Sequence, residues 1–293
     1  MTGFINLNKP EGITSFLAVA KVRRIMGEKK AGHCGTLDPM ATGVLPIMLG
    51  GATRFLEFLP DSKKRYTATF RLGLTTDTLD ITGKVLSTSD ATCGKDEILS
   101  LLPKFQGEIL QVPPMYSALN KDGVKLYKLA RQGIEVEREA RPATIYSLEL
   151  FDTDAENEYG LSLECSSGTY VRTLIDDIGR ELGCGATMTS LERTMGAGFE
   201  IGNCVTLEEL ESSSNPENFL ISVEDALSAY PKAFVTFGQA HRFVNGGDLN
   251  LDRIKDCKVS GLYRIYSEDK FLGLGRAEPE NNNLKFLRVY NER

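Results

Sequence analysis

Short apolar stretches alternate with polar turns along the chain, and their spacing predicts a protein that mixes helices and strands. Residues 63–72 alternate strictly, with Tyr66, Ala68, Phe70 and Leu72 on one face and polar side chains on the other. This period of two predicts a strand with one buried face. By similar patterns we expect further strands at 4–8, 44–49, 143–150 and 159–165.

Helical spacing and capping residues predict the helices. A helix that Thr14 or Ser15 caps is expected to run to Met26 and to end at Gly27. Apolar residues at 171, 174, 175, 178 and 182 predict another helix, because they share one helical face. We expect two shorter helices at 96–102 and after the capping box 206–209, whereas the polar stretch 74–83 favours turns.

A serine-rich stretch at 212–217 is typical of a linker and suggests that a large domain ends near it. The chain beyond it predicts a helix around 239–244 and strands near 262–266, 271–275 and 285–289. We therefore expect a large domain over 1–230 and a small, mainly β module over 231–293. A chain of 293 residues is long enough for both.

Composition narrows the class of protein. No apolar run approaches the roughly 18 residues that a membrane span needs, and the first residues do not form a cationic and apolar signal region, so we expect a cytoplasmic protein without membrane contact. The six cysteines are far apart and form no Cys-x-x-Cys pair. This spacing indicates neither a zinc site nor a disulfide framework, and we expect reduced, mostly buried thiols.

The net charge of −6 does not favour a nucleic-acid partner, but the charge is unevenly distributed. Residues 1–150 contain 20 Lys and Arg against 16 Asp and Glu, whereas residues 151–293 contain 14 against 24. Local basic clusters can hold a polyanion even when the whole protein is acidic. Mixed charges that only keep the surface soluble are the alternative.

The glycine-rich segment 31–46 is the strongest candidate for chemistry. Gly35 and Gly43 permit backbone angles that other residues avoid, and Pro39 disfavours the helical conformation at Asp38, so we expect a fixed, sharply bent loop. Two interpretations of Asp38 are open: a turn carboxylate that bonds its own backbone, or a carboxylate that faces a ligand. The triphosphate-binding pattern G-x-x-x-x-G-K-[ST] is absent.

Residues 113–142 form a second candidate site, which we call the basic arm. A double proline, a glycine turn and a short helix are predicted there, and two tyrosines lie among the basic residues, a combination that suits an RNA backbone and unstacked bases. An ordinary solvated helix with its tyrosines packed inward is the alternative. The basic residues are Lys121, Lys125, Lys128, Arg131, Arg138 and Arg141, and we expect the first four on the helix.

Four further residues each allow two interpretations. Arg172 is expected in the first helical turn, where the helix dipole disfavours a cation, so it needs a carboxylate partner, either Asp176 four residues later or a more distant one. Tyr66 is a core aromatic or part of a cleft wall. Asp77 and Asp80 suggest a metal site, but no third ligand follows at a recognisable spacing, and turn carboxylates are commoner.

Six motifs, in this order and spacing, resemble those of the TruB class of pseudouridine synthases. The resemblance implies an α+β pseudouridine-synthase fold with a mixed, mainly antiparallel sheet and flanking helices around an RNA-binding cleft. It also implies that 113–142 is an RNA-clamping insertion and that 231–293 is a PUA-like RNA-binding module. The motifs are NKPEGITS (8–15), GHCGTLDPMATG (32–43), KRY (64–66), TDTLDITG (76–83), PPMYSA (113–118) and GTYVR (168–172).

The resemblance implies an isomerase that converts the T-loop uridine at position 55 of tRNA to pseudouridine without metal or cofactor. It assigns Asp38 as the nucleophile, Arg172 as the partner that keeps the carboxylate ionised, and Tyr66 as the ring that stacks on the base and takes part in proton transfer. Cleavage of the N1–C1′ bond and loss of the C5 proton require a nucleophile and a base, which suits these residue types.

The resemblance also implies binding roles. Tyr170 and Leu191 match positions that line the uridine pocket, and His33 matches the residue that fills the gap left by the extruded base. Lys9 and Asp80 support the cleft. In the basic arm, Lys125, Lys128 and Arg131 are expected to contact RNA. Two residues depart from the family pattern, Cys34 within the loop and Glu192 after Leu191, and the second puts one RNA contact in doubt.

The expected partner is the T-arm stem-loop of tRNA, with no protein partner, and the expected state is a monomer. Two alternatives remain. One is a T-loop chaperone or adaptor without essential catalysis. The other is a guide-RNA-dependent synthase of the same superfamily, which the basic arm and the absence of a long basic tail disfavour.

Overall fold

The computed structural model of the chain describes residues 1–60, 63–91, 93–255 and 257–291. The last two residues of the expected module 231–293 therefore lie outside the described residues. The strands are β1 (Gly3–Lys9), β2 (Ala31–His33), β3 (Thr42–Leu49), β4 (Lys64–Leu72), β5 (Leu74–Thr76), β6 (Val85–Thr88), β7 (Gly107–Gln111), β8 (Asn120–Lys121), β9 (Val124–Lys125), β10 (Arg141–Asp152), β11 (Glu158–Cys165), β12 (Ala186–Gly196), β13 (Phe199–Glu200), β14 (Lys232–Phe234), β15 (Leu249–Asn250), β16 (Gly261–Ser267), β17 (Lys270–Glu278) and β18 (Asn283–Val289). The helices are α1 (Ser15–Ile25), α2 (Lys95–Leu101), α3 (Leu126–Arg131), α4 (Val171–Leu182), α5 (Leu207–Ser212), α6 (Val223–Ala226) and α7 (Phe237–Val244).

A nine-stranded sheet forms the centre of the larger part of the protein. Its order is β1-β3-β12-β4-β11-β10-β7, with β2 paired to β3 and β13 paired to β12. The pairing of β3 with β12 is parallel, whereas the other pairings in this sheet are antiparallel. The expectation of a mixed, mainly antiparallel sheet is confirmed.

The capping residues and the alternating pattern that predicted these elements also stabilise them in the structure. Thr14 accepts a hydrogen bond from Leu17 N at 3.1 Å and caps α1, and Gly27, at φ +62°, follows the end of that helix. In β4 the face that carries Tyr66 is buried, as the alternating pattern predicts. Two helices also pack on the central strands: α1 against β2 and β3, and α4 against β12.

Two local predictions were wrong. The expected turns at 74–83 include a short strand, β5, which pairs with β6. Lys121 and Lys125 lie on a two-stranded hairpin, not on the helix of the basic arm. Asp122 and Gly123 both have positive φ, at 50° and 81°, which is the geometry of a tight hairpin turn, and the helix starts only after it.

The C-terminal residues build a second sheet in the order β14-β16-β17-β18-β15. One apolar cluster joins the two sheets, because Phe4 and Val44 from the first pack in the same cluster as Tyr266 and Phe271 from the second. The serine-rich stretch does not separate the two parts, since the chain after it returns to the first sheet and Ile221 bridges to Phe4. The two sheets therefore share a core.

Two expectations from composition can be compared with the structure. Within the described ranges, no helix is long and apolar enough to cross a membrane. All six cysteines are free thiols, and four of them are buried, as expected.

Candidate active site

Asp38 lies in the connection between β2 and β3, on a loop over residues 34–41. The Ala41 amide donates to the Asp38 carbonyl at 3.1 Å and closes a turn around Pro39. Gly43, at φ +94°, follows the loop at the start of β3, where the backbone of β12 approaches so closely that a side-chain carbon would lie 2.3 Å from the Arg193 carbonyl oxygen. Only glycine is compatible with this approach, which sets the position of the loop against the sheet.

The first motif of the chain supports the loop from behind. The Lys9 ammonium, which is fully buried, donates to the Pro39 carbonyl at 3.2 Å and to two other carbonyls at 2.8 and 2.9 Å. The Gly12 amide donates to the same Pro39 carbonyl at 2.8 Å. The Ser15 hydroxyl lies 2.9 Å from the amide nitrogen and 3.0 Å from the carbonyl oxygen of Leu37. Lys9 therefore holds the loop that bears Asp38, while burial lowers the pKa of Lys9 to about 8.

Arg193 of β12 fastens both ends of the same loop. Its Nε donates to the Val44 carbonyl at 2.7 Å and its Nη2 donates to the Gly35 carbonyl at 3.2 Å. The side chain is fully buried. Arg193 was not predicted from the sequence, although it occupies an inward position of an alternating strand, between Leu191 and Met195.

Arg172 is the residue that joins the separate parts of the site. Its guanidinium forms an ion pair with Asp38 Oδ2 at 2.9 Å and faces Asp80 Oδ2 at 3.6 Å. It also donates to the Thr78 carbonyl at 2.7 Å and to the Tyr116 carbonyl at 2.9 Å. These contacts bring together the loop, the turn after β5, the start of the basic arm and helix α4. The two carbonyl contacts were not predicted from the sequence.

Asp176, the local partner that the sequence suggested for Arg172, pairs with a different arginine. Asp176 pairs with Arg180 at 2.5 Å, one turn further along α4. Arg172 instead binds a distant carboxylate, which was the other interpretation of the sequence.

Asp80 is fixed by its own turn. Its Oδ1 accepts hydrogen bonds from the Thr78 hydroxyl at 2.8 Å, the Thr82 amide at 3.0 Å and the Thr82 hydroxyl at 2.5 Å. The other oxygen is left to face Arg172. The carboxylate is buried and orients the guanidinium. Among the described residues, no group of three or more His, Cys, Asp or Glu could hold a metal ion.

Burial and ion pairing shift the pKa of Asp38 in opposite directions. Burial, together with the nearby Asp80 carboxylate, raises the pKa of Asp38, whereas Arg172 and the ammonium of Lys9 lower it. The net shift is upward, so desolvation outweighs the guanidinium that was expected to keep the carboxylate ionised. About a third of the side chain, 34%, is exposed. A substrate can therefore reach an otherwise enclosed carboxylate.

Tyr66 combines the two interpretations that the sequence left open. It is 6% exposed and belongs to the main apolar core, yet it lies opposite the buried Arg193 on the neighbouring strand. Burial raises the pKa of Tyr66, and the Arg193 guanidinium opposes this shift. Leu191 is also buried on β12 and pairs with Ala68 of β4. Both side chains thus belong to the main apolar core, on the paired strands β4 and β12.

Tyr170 lies half-buried immediately before α4. The Gln111 side chain holds its backbone, because Oε1 accepts from the Tyr170 amide at 3.0 Å and Nε2 donates to the Tyr170 carbonyl at 3.2 Å. Burial raises the pKa of the Tyr170 hydroxyl. Gln111 was not singled out in the sequence, and no local pattern marks it.

His33 ends β2 and is half-buried. Its Nδ1 is buried without a hydrogen-bond partner among the described residues. Burial and the Arg193 guanidinium lower the pKa of His33, so its ring is neutral at pH 7. The adjacent thiol of Cys34 is buried, which raises its pKa to about 12 and makes it unreactive.

The basic arm presents its cations in two ways. Lys125 is half-buried and donates to the Ala118 carbonyl at 2.7 Å, whereas Lys128 and Arg131 are exposed on α3. Arg131 lies over the Tyr127 ring, 5.5 Å from its centroid. The arm begins beside the carbonyl that Arg172 binds, so the two features are adjacent.

Comparison with known families gives two matches. The model described as TruB family pseudouridylate synthase, N-terminal domain, matches residues 23–171. The model of the tRNA pseudouridylate synthase B C-terminal domain matches residues 172–228.

Curated relatives match along nearly the whole chain. The tRNA pseudouridine synthase B of Clostridium tetani is 45% identical over 291 residues, which cover 99% of this chain and 100% of the relative. The tRNA pseudouridine synthase B of Ectopseudomonas mendocina is 45% identical over 285 residues, or 95% of this chain and 92% of the relative.

Solved structures share the fold. A chain from a Cbf5-Nop10-Gar1 complex matches with a TM-score of 0.74 at 27% identity, over 98% of this chain and 84% of the other. A chain from an H/ACA RNP bound to a substrate RNA containing 2′-deoxyuridine matches with a TM-score of 0.73 at 26% identity, over 99% of this chain and 86% of the other.

Proposed function

The chain belongs to the TruB family of pseudouridylate synthases and isomerises uridine to pseudouridine in tRNA, and we propose that its target is the T-loop uridine at position 55 and that Asp38 is the nucleophile. The observation that supports this assignment is the ion pair between Asp38 and a buried Arg172 at 2.9 Å. The loop that carries the carboxylate is held by the side chains of Lys9 and Arg193.

The reaction needs little beyond a held carboxylate and a base. Asp38 forms a covalent bond to the base or the ribose, the N1–C1′ bond breaks and the uracil ring turns. The C5–C1′ bond then forms and the bond to Asp38 breaks, which regenerates the free carboxylate. The C5 proton then leaves to a base and N1 gains one, so that the product is an isomer of the substrate. Tyr66 stacks on the uracil and takes part in this proton transfer.

Other residues are assigned to substrate binding. Tyr170 and Leu191 line the uridine pocket, and His33 fills the space that the extruded base leaves. The low pKa of His33 supports a role through shape and stacking, since the ring carries no charge at pH 7. Lys9 and Asp80 act indirectly, because both are buried and bind protein groups.

The remaining assignments concern organisation. Residues 1–230 form the catalytic domain, with the basic arm 113–142 closing over RNA, and residues 231–293 form a PUA-like RNA-binding module. The second sheet, which begins at Lys232, supports this boundary. We further propose that the protein acts as a monomer in the cytoplasm, where its tRNA substrate is found; the ion pair between Asp38 and Arg172 forms within one chain.

A guide-RNA-dependent synthase is the alternative that the structural matches raise. The relatives named tRNA pseudouridine synthase B are 45% identical, whereas the chains from the Cbf5-Nop10-Gar1 complex and the H/ACA RNP are 26–27% identical. The higher identity favours the stand-alone enzyme. Free tRNA without a guide RNA or a second protein should therefore be a sufficient substrate.

The proposal is tested by release of the C5 hydrogen from labelled uridine in unmodified tRNA. We expect wild-type protein to release one hydrogen per tRNA. Asp38→Asn should release none while its tRNA affinity stays within about threefold, because the amide keeps the shape but is a poor nucleophile. Asp96→Asn, an exposed carboxylate of α2, is the matched control and should retain full activity. Turnover by Asp38→Asn near the wild-type rate would contradict the assignment and favour a chaperone.

A further inference from the structure

Two cationic groups converge over Gly35, at the start of the loop that carries Asp38. A side-chain carbon on Gly35 would lie 3.4 Å from Arg193 Nη1 and 3.6 Å from Lys64 Nζ. Glycine at this position therefore leaves open the point at which the two cations meet. Its φ of +83° favours glycine for a second reason.

Among the described residues, no carboxylate balances these charges. Arg193 Nη1 is buried without a hydrogen-bond partner, although the other two guanidinium nitrogens bind carbonyls. In the described part of the chain, no carboxylate lies within salt-bridge distance of Lys64 or Arg193. The nearby carboxylate of Glu164 pairs with the neighbours Lys63 and Arg65 instead.

Two neighbouring cations without a counter-charge destabilise the protein when no ligand is bound. A buried cation without a counter-charge loses its hydration and gains little in return, and a second cation beside it adds repulsion. In agreement, burial and the Arg193 guanidinium both lower the pKa of Lys64. The arrangement becomes favourable when an anion enters between the two groups. A phosphate oxygen is well suited to both, because it accepts charge-assisted hydrogen bonds from guanidinium and ammonium groups.

The position of Lys64 and Arg193 beside the Asp38 loop indicates which phosphate they bind. Gly35 lies three residues before Asp38, and Arg193 is the cross-strand neighbour of Tyr66, so a nucleotide bound at Asp38 brings its own backbone phosphates close to this point. We propose that Lys64 and Arg193, meeting over Gly35, bind one backbone phosphate of the substrate RNA beside the extruded nucleotide. This inference rests on the proposed function, since it assumes an RNA substrate at Asp38.

The first test neutralises Lys64, which lies nearer the surface than Arg193 and whose change spares the core. Lys64→Gln should weaken binding of a T-arm stem-loop about tenfold at low salt, the size expected for a charge-assisted hydrogen bond, and should reduce the slope of log K against log salt by about one. Arg65→Gln removes a cation from the same strand that already pairs with Glu164, so affinity and slope should stay unchanged. Equal slopes for wild type and Lys64→Gln would overturn the proposal.

The second test locates the phosphate. Neutral methylphosphonate linkages are placed one at a time along the stem-loop, and each RNA is titrated with wild type and with Lys64→Gln. We expect one linkage, next to the target uridine, that weakens wild-type binding about tenfold and has no further effect on Lys64→Gln. Additive losses at every linkage would overturn the assignment to RNA. So would the absence of a sensitive linkage combined with protection of the wild type by inorganic phosphate, which would indicate a free-anion site.

The two proposals fail in different ways. If wild-type protein forms no pseudouridine in the same stem-loop, then the proposed function is wrong. If pseudouridine forms while both binding tests are negative, then only the phosphate site is wrong.

Discussion

Arg172→Lys is the substitution that most directly tests how the site is held together. The guanidinium of Arg172 reaches Asp38, Asp80 and the carbonyls of Thr78 and Tyr116 at 2.7–3.6 Å. These four oxygens belong to three segments of the chain, since Thr78 and Asp80 lie in the same turn. A lysine ammonium donates from a single atom on a shorter chain and cannot reproduce the planar fork, so at least one contact must be lost.

The magnitude follows from the lost contact. A hydrogen bond to a charged group contributes about 1.5–3 kcal/mol, and leaving a buried carbonyl unsatisfied costs about 1–3 kcal/mol. We therefore expect the rate of the chemical step to fall at least about tenfold, or about 1.4 kcal/mol at the transition state. Thermal stability should also fall, because Thr78 or Tyr116 loses its donor.

The pH dependence of the rate is an independent test of the ion pair between Asp38 and Arg172. Asp38 attacks only when it is ionised, and Arg172 is the strongest of the groups that lower the pKa of Asp38. Weakening that contact leaves burial less opposed and raises the pKa further. The acid limb of the rate profile should then move to higher pH in Arg172→Lys.

The assay is single-turnover release of tritium from 5-tritiated uridine in tRNA at saturating enzyme, repeated between about pH 5 and pH 8 to span the acid limb. Arg180→Lys, an exposed arginine on the same helix, is the matched control and should leave rate and profile unchanged. A rate for Arg172→Lys equal to that of wild type, or an acid limb at the same pH, would refute the reasoning.

Three further predictions concern residues around the site. Lys9→Met should lower the free energy of unfolding in urea by about 1–3 kcal/mol at pH 7, because the Pro10 and Ile13 carbonyls lose their donor and the Pro39 carbonyl loses one of two. Between pH 8 and pH 10 the wild type should gain stability relative to Lys9→Met, since its unfolded state then binds more protons at Lys9, and parallel pH curves would contradict this. His33→Ala should reduce kcat/KM strongly on an intact T-arm stem-loop and little on one with disrupted loop pairing, since an unpaired base is extruded at little cost, whereas equal losses on both RNAs would place His33 in the chemical step. Neutralising Lys125, Lys128 and Arg131 together should flatten the salt dependence of tRNA binding, and an unchanged slope would remove the basic arm from the RNA interface.

The strands and helices were largely predictable because their signals are local. Alternation over 63–72 defines β4 and its buried face, and capping residues define the start of α1. The predictions were wrong where a short range carries two signals. At 120–125 the turn formed by Asp122 and Gly123 produces a hairpin before the helix begins. Local propensity alone does not show that these residues form a turn in preference to a helix.

Residue types in ordered motifs also indicated the family and the central carboxylate. The sequence by itself thus determined which segments fold into which elements and that Asp38 stands on a glycine-framed loop. It could not determine the partners of that loop. Arg172 binds carbonyls that are 94 and 56 residues away, and Arg193 binds the Gly35 carbonyl across 158 residues.

Only the tertiary structure decided those contacts. Sheet pairing brings together distant segments, and the sequence of one segment does not indicate which other segment it will contact. The parallel pairing of β12 with β3 places Arg193 behind the loop, and the pairing of β12 with β4 places it beside Tyr66. The pKa of Asp38 is likewise a property of the folded protein, since burial raises it and a distant guanidinium lowers it. Desolvation depends on everything that packs around a group, and no local pattern of residues specifies that sum.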